Sequence, residues 1–176
     1  MLIKVKNKDT LIFDDFIFQC AVGKKGVSSK KKEGDLCTPR GIFSLKTVFY
    51  RSDRIQNIQT KLSLKKINRD MGWCNDPHSK KYNSLVKVNE KLRYEKLYRM
   101  DNKYDIFVVI NYNFKKPIPF KGSAIFLHLT KNFKGTAGCI ALNKKDLLIL
   151  LKLIDKKTKI KIYYPLSPKI FEPILT

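Results

Sequence analysis

Gly122-Ser123-Ala124-Ile125-Phe126-Leu127-His128, a short loop, and then Gly135-Thr136-Ala137-Gly138-Cys139-Ile140-Ala141-Leu142 decide how this chain is read. The apolar run from Ser123 to Leu129 is long enough for a buried strand and too short for a helix. Strand alternation puts His128 on one face with Ala124 and Phe126, and Ile125, Leu127 and Leu129 on the other. Cys139 stands eleven positions after His128. Gly135 and Gly138 allow the loop between them a tight or left-handed backbone. The chain can therefore curl back and bring a thiol towards an imidazole.

A buried cysteine and a buried histidine each have a plain structural reading. Cys139 can be a small hydrophobe after a turn, and His128 a core histidine satisfied by backbone. The chemical reading makes Cys139 a nucleophile and His128 its base. The amides of Gly138 and Cys139 are then candidates to face a developing oxyanion. A base in such a pair needs an acceptor on its second ring nitrogen. The sequence does not single one out, and a backbone carbonyl would serve.

Working outward, the chain reads mostly as strands. Leu2 to Lys6, Thr10 to Cys20 with a turn at Asp14-Asp15, Gly41 to Tyr50, Asp105 to Tyr112 and Lys159 to Tyr164 are strand candidates. Gly23 to Asp35 is polar and lysine-rich, which predicts an exposed loop. Met71 to Ser84 reads as irregular because of Pro77. Asn89 to Arg99 reads as a short helix capped by Asn89. Lys144 to Asp155 is the clear helix: Asn143 is its cap, and Leu147, Leu150, Leu151 and Ile154 recur on one face. Pro165 and Pro168 mark an extended tail. The expectation is one mainly β domain over 1–176, with one or two helices.

Composition narrows the partners. The chain has 176 residues and a formal charge of +22, from 37 basic and 15 acidic side chains. Such charge attracts polyanions: nucleic acid, anionic lipid or an acidic wall polymer. Thirty-one of the cations are lysines, scattered in pairs, and six are arginines. Base-edge readout favours arginine forks and clustering on one face, so specific nucleic-acid binding is not expected. No apolar run reaches the ~18 residues of a membrane span. Met1 to Asn7 alternates like a strand and lacks the apolar centre of a secretory signal. Cys20, Cys37, Cys74 and Cys139 form no Cys-x-x-Cys pair, which argues against a zinc ribbon or a thioredoxin-type motif.

A second stretch rich in chemistry is Gly72-Trp73-Cys74-Asn75-Asp76-Pro77-His78 through Tyr82-Asn83. Irregular loops of this kind often carry function. Cys74 and His78 are only two potential ligands, so no metal site is expected. Substrate contact through Trp73, Asp76, His78, Tyr82 and Asn83 is the expectation, against a structural aromatic plug. Lys32-Glu33-Gly34-Asp35 and Thr38-Pro39-Arg40-Gly41 read as a loop and turn feeding a strand. Exposed pairs there would contribute little to stability.

At these residues the chain resembles the L,D-transpeptidase catalytic domain, or YkuD, family. The resemblance is carried by Gly122 to His128 and Thr136 to Leu142, with Lys32-Glu33-Gly34-Asp35, Thr38-Pro39-x-Gly41, Arg51-x-Asp53-Arg54, Gly72-Trp73-Cys74-x-Asp76-Pro77, Tyr82-Asn83 and Tyr112-Asn113. It covers about residues 20–163, and motifs in a fixed order are far more specific than one alone. It is closest to a branch with Thr-Ala-Gly-Cys at the active segment, where better-known members have a histidine in place of Ala137. The resemblance implies a β-rich, sandwich-like or barrel-like fold with few helices, and acyl transfer on peptidoglycan stem peptides without a cofactor. Cys139 would attack the L,D bond between the position-three diamino acid and D-alanine. His128 would move the proton, Gly138 and Cys139 amides would hold the oxyanion, and Thr136 would line the substrate site. It also implies a cell-envelope location and contact of the basic surface with anionic wall polymers. Two alternatives stay open: hydrolysis at the same site, as a carboxypeptidase or endopeptidase, and a basic polyanion-binding protein with a degenerate site.

Overall fold

The computed structural model describes residues 1–88 and 91–163. The chain opens with β1 (Leu2–Lys6), β2 (Thr10–Phe13) and β3 (Phe16–Gln19). Asn7 and Asp14 turn between them with φ of 57° and 48°. Short polar side chains tolerate that left-handed backbone better than most. Two short strands, β4 (Val27–Ser28) and β5 (Thr38–Pro39), lead to the long β6 (Gly41–Tyr50). There follow β7 (Leu64–Lys66), β8 (Met71–Cys74), β9 (Leu85–Lys87) and β10 (Tyr94–Lys96). The last part holds β11 (Ile106–Ile110), β12 (Phe126–Leu129), β13 (Ile140–Leu142), the helix α1 (Lys144–Leu153) and β14 (Lys159–Tyr163). The architecture is mainly β with one helix among the described residues, as the sequence leads one to expect. That helix is too short to cross a membrane.

Nine strands form the main sheet, in the order β13-β12-β11-β6-β14-β1-β2-β3, with β7 also on β6. Beyond β3 the chain returns to the opposite edge. Ala21 exchanges two hydrogen bonds with Ala141 of β13 (2.9 and 2.8 Å), and Gly23 bridges to Thr136. The two edges of the sheet are thus stitched together, which gives a barrel-like form and leaves fewer unpaired edge groups. β10, β8 and β9 make a second, three-stranded sheet.

The central strands are buried on both faces, which explains their unbroken apolar runs. From β11, Ile106, Val108 and Ile110 enter the main core, with Leu127 and Leu129 of β12. Leu147, Leu150 and Leu151 of α1 seal that core, followed by Ile154 at its C-cap. Asn143 caps the helix by accepting from the Asp146 amide at 2.8 Å. The opposite face presents Phe107, Val109 and Phe126 to a second, aromatic cluster with Phe49, Trp73, Leu97 and Tyr104. Cys139 belongs to this second cluster. The site therefore lies between the main sheet and the segments carrying the small sheet.

Three segments differ from the sequence-based expectation. Of the helix expected over 89–99, none forms over the described residues 91–99: Tyr94–Lys96 is the strand β10, paired with Gly72–Cys74. Its proposed cap, Asn89, lies outside the described residues, as does the tail with Pro165 and Pro168. The pairing is decided across the fold, because the bare face of Gly72 receives the Tyr94 ring. A Cβ at Gly72 would stand 2.7 Å from that ring. Met71–Cys74, read as irregular, is strand β8. Residues 23–35 are not simply an exposed loop, since β4 lies there and Lys31 is buried.

Candidate active site

β12 and β13 run parallel, with Leu127 opposite Ile140 and His128 opposite Ala141. That register sets Cys139, one residue before β13, beside Phe126. Its Sγ accepts from the Phe126 amide at 3.3 Å and donates to the Ala124 carbonyl at 3.1 Å. His128 is two residues farther along the same face of β12, roughly 7 Å by strand rise. The structure thus brings thiol and imidazole onto one face, as the alternation implies.

The backbone around the nucleophile is fixed by small and hydroxylated residues. Gly138 has φ of 144°, and a Cβ there would lie 2.8 Å from the Cys37 carbonyl oxygen. Thr136 Oγ1 donates to the Cys139 carbonyl at 2.6 Å and accepts from the Gly138 amide at 3.0 Å. This bears on the expected oxyanion donors: the Gly138 amide is engaged by a hydroxyl of its own loop. Thr38, from β5, receives the Gly23 amide at 2.8 Å and adds a longer contact to the same Cys139 carbonyl. Ala137 is exposed, so the loop tolerates the missing polar group there.

His128 is buried, and its Nδ1 lies 2.8 Å from the Leu129 carbonyl. A carbonyl only accepts, so Nδ1 carries the proton and Nε2 keeps its lone pair. Nε2 has no partner among the described residues. Burial pushes the imidazole down to about 3, with Lys103 adding to the effect against the Leu129 bond. Burial likewise pushes the Cys139 thiol up to about 12, reinforced by the Glu95 carboxylate and opposed by the Phe126 amide. Both shifts favour a neutral thiol and a neutral imidazole at rest rather than an ion pair.

An open cleft of about 550 Å³ reaches His128. His128, Thr136, Lys103, Lys131, Lys134 and Lys144 line it. Cys139 is not on its wall and is 7% exposed.

The other residues singled out in the sequence fall into two groups. Trp73, Tyr82 and Asn83 are buried and spend their polar atoms inside the fold. Asn83 Oδ1 accepts from Trp73 Nε1 (2.9 Å) and the Ala124 amide (3.0 Å). Its Nδ2 donates to the Tyr112 and Asn113 carbonyls at 3.2 and 2.6 Å. Tyr82 Oη donates to Glu33 and accepts from the Gly122 amide. These residues bracket the segment 122–124 that holds the thiol, which is the aromatic-plug reading rather than an open contact surface. Asp76 and His78 lie on the loop outside; Asp76 caps the His78 amide, and the exposed His78 ring meets Phe120.

Asn83→Ala should therefore cost about 2–5 kcal/mol, because several buried donors and acceptors lose partners together. The left-handed backbone at Asn83, φ 55°, adds to the penalty for alanine. Urea denaturation measures the loss; a change within about 0.5 kcal/mol would show that Asn83 is not the latch described.

Sequence reasoning missed Tyr104, Glu95 and Lys31. Tyr104 Oη donates to Glu95 Oε1 at 2.6 Å, while its ring packs edge-on against His128 with centroids 5.5 Å apart. Nothing in the spacing of Glu95 and Tyr104 reveals this meeting, which depends on β10 lying over the main sheet. Lys31 pairs with Asp35 at 2.6 Å, its side chain 5% exposed. Asp35 also receives the Lys32 and Cys37 amides. The Lys32-Glu33-Gly34-Asp35 motif is thus a partly buried tie, through Asp35 to Lys31 and through Glu33 to Tyr82. The only sequence signal was the density of charge around one glycine.

This fold, with a cysteine and a histidine on neighbouring strands under an aromatic cover, defines a class that family comparison identifies. The chain belongs to the L,D-transpeptidase catalytic domain (YkuD) family, whose sequence model matches residues 2–162. The match begins earlier than the resemblance read from motifs, consistent with β1 to β3 being part of the main sheet. Members of this family modify peptidoglycan and are usually associated with the cell envelope. No match was found among curated proteins.

Proposed function

We propose that the protein is a cysteine acyltransferase acting on peptidoglycan tetrapeptide stems in the cell envelope, and that 1–176 works as one catalytic domain. The observation that carries this reading is His128 with Nδ1 on the Leu129 carbonyl and Nε2 without a partner among the described residues, on the face of β12 that also meets the Cys139 thiol. The stem carbonyl between the diamino acid and D-alanine comes to Sγ. As Sγ attacks, the thiol proton leaves the Ala124 carbonyl and passes to Nε2. The Leu129 carbonyl keeps Nδ1–H in place and steadies the transient imidazolium. Collapse of the tetrahedral intermediate breaks the C–N bond, and Nε2–H protonates the departing amine of D-alanine. The thioester then meets an amine of a second stem. Nε2 takes that amine's proton, the C–S bond breaks, and the proton returns to sulfur.

Apo distances between catalytic partners are commonly long and close only with substrate bound. The aromatic cover and the buried pair favour exclusion of water during the first half-reaction. The Gly138 amide reaches the oxyanion only by leaving Thr136 Oγ1, while the Cys139 amide belongs to the nucleophile itself. The same thioester yields a carboxypeptidase if water is the acceptor.

The test is incubation of the purified protein with defined disaccharide-tetrapeptides, followed by mass spectrometry. Transfer yields cross-linked dimers and free D-alanine; hydrolysis yields tripeptides and no dimers. Unchanged stems, with a folded protein that binds polyanions independently of Cys139, would instead support the degenerate-site alternative.

A further inference from the structure

Residues 114–121 read Phe-Lys-Lys-Pro-Ile-Pro-Phe-Lys and carry the chain from β11 towards β12. Ile118 is 59% exposed and Phe120 is 52% exposed. Single exposed hydrophobes are ordinary, but two on one short loop, held outward by a rigid backbone, are not. Asn113 supplies the rigidity. Its Oδ1 accepts from the Ile118 amide at 2.8 Å, and its Nδ2 donates to the Ile118 and Gly122 carbonyls, both at 3.0 Å. The Glu33 amide donates to the Phe120 carbonyl at 2.8 Å, and Tyr112 Oη donates to the Lys121 carbonyl. Pro117 and Pro119 fix their own φ, and Phe120 is held at φ 63°. The apolar tips do not fold back onto the core; the local structure holds them in solvent.

Cations surround these tips. Lys115, Lys116 and Lys121 lie on the loop itself and are exposed. Lys32 shares a shallow depression with Phe120 and Lys121. His78 meets the Phe120 ring at 5.1 Å and carries with it the segment holding exposed Lys80 and Lys81. Nearby carboxylates are Glu33, bound by Tyr82, and Asp76, capping the His78 amide.

We infer that loop 114–121 is a membrane-surface anchor, in which Ile118 and Phe120 enter the headgroup boundary of an anionic phospholipid bilayer while the flanking lysines bind lipid phosphates. Charge complementarity selects an anionic surface. The apolar tips select a bilayer over a soluble polyanion, which offers no apolar phase to enter. A protruding loop with lysines beside its tips suits a planar interface, where their long stems let the ammonium groups remain at phosphate level. The loop continues into Ala124, so docking would bring the Cys139 segment near the bilayer surface. The inference does not depend on the reaction proposed for Cys139.

The test uses the full chain and flotation with unilamellar vesicles, either purely phosphatidylcholine or about one-third phosphatidylglycerol, at about 150 mM salt. Wild type should partition onto anionic vesicles at least about tenfold more strongly than onto neutral ones. The double substitution I118S/F120S should weaken anionic binding about tenfold or more, with an unchanged melting temperature. Phe120→Trp gives an insertion signal, since its indole should shift to shorter wavelength on vesicles and be quenched by brominated lipid. The inference is overturned if I118S/F120S binds like wild type, if neutral vesicles bind equally well, or if the introduced indole stays in water. The first of these would mean that the lysines alone make a general polyanion surface.

Discussion

A carbapenem mixed with the folded protein is expected to add its whole mass to Cys139 and to nothing else. Attack of Sγ on the strained lactam carbonyl opens the ring, so no atom is lost from the adduct. Cys139→Ser should stay at its native mass over the same hours. A serine hydroxyl is a far weaker nucleophile than a thiol, and the neutral His128 beside it is a poor base for an alcohol. The rate should fall by ~10³-fold or more, and intact-mass measurement with peptide mapping reads it. Cys20, Cys37 and Cys74 act as internal controls. Cys20 is buried with its thiol pushed up to about 12 by burial, and Cys74 is fully buried. An adduct on one of them, or an equal adduct on Cys139→Ser, would remove Cys139 from the chemistry.

His128→Gln should slow the same acylation by about 10²–10⁴-fold, the usual worth of a positioned general base. Because the resting pair is neutral, the wild-type rate should be nearly flat from about pH 5 to pH 9. The competent state, thiol with imidazole, dominates between about 3 and about 12. A rate that climbs with a midpoint near 8.5, the ordinary thiol value, would indicate a solvent-exposed thiolate instead. Stability carries a second signature. Unfolded histidine titrates near 6.5, while folded His128 stays neutral down to about 3. Between those values the unfolded chain binds a proton that the folded chain does not. The contribution is therefore intact above about pH 6.5 and is lost as pH falls towards 3, by roughly 3 kcal/mol at pH 4.5. The loss of stability from pH 7 to pH 4.5 should be smaller in His128→Gln by about that amount, whatever its stability at pH 7. Equal losses in the two proteins would mean that His128 is not buried in its neutral form.

Much of this arrangement is legible in the sequence because it depends on local alternation. Phe126 and His128 on one face, with Leu127 and Leu129 on the other, follow from a period of two, and the two faces do enter different clusters. The helix is equally local: its cap and its leucine stripe lie within twelve residues. What depends on distant pairing was not legible. A cap residue at Asn89 permits a helix over 89–99, and only the bare face of Gly72, more than twenty residues away from Tyr94, makes β10 the better solution. Lysine reads as a surface residue, so the burial of Lys31 could be known only with Asp35 folded against it. Trp73 and Asn83 carry polar chemistry in the sequence, yet in the fold their polar atoms turn inward and hold the segment 122–124. The contact of Tyr104 with His128 belongs to the same kind of information, fixed by how a second layer covers the sheet.

The most direct measurement is acid-quenched intact-mass spectrometry of the protein with a tetrapeptide stem donor, before an acceptor amine is added. The account predicts a transient species heavier than the protein by the donor less one D-alanine, mapped to Cys139, and its disappearance when the amine is supplied. Release of D-alanine with no covalent species under any quench, or a covalent species on a residue other than Cys139, would contradict it.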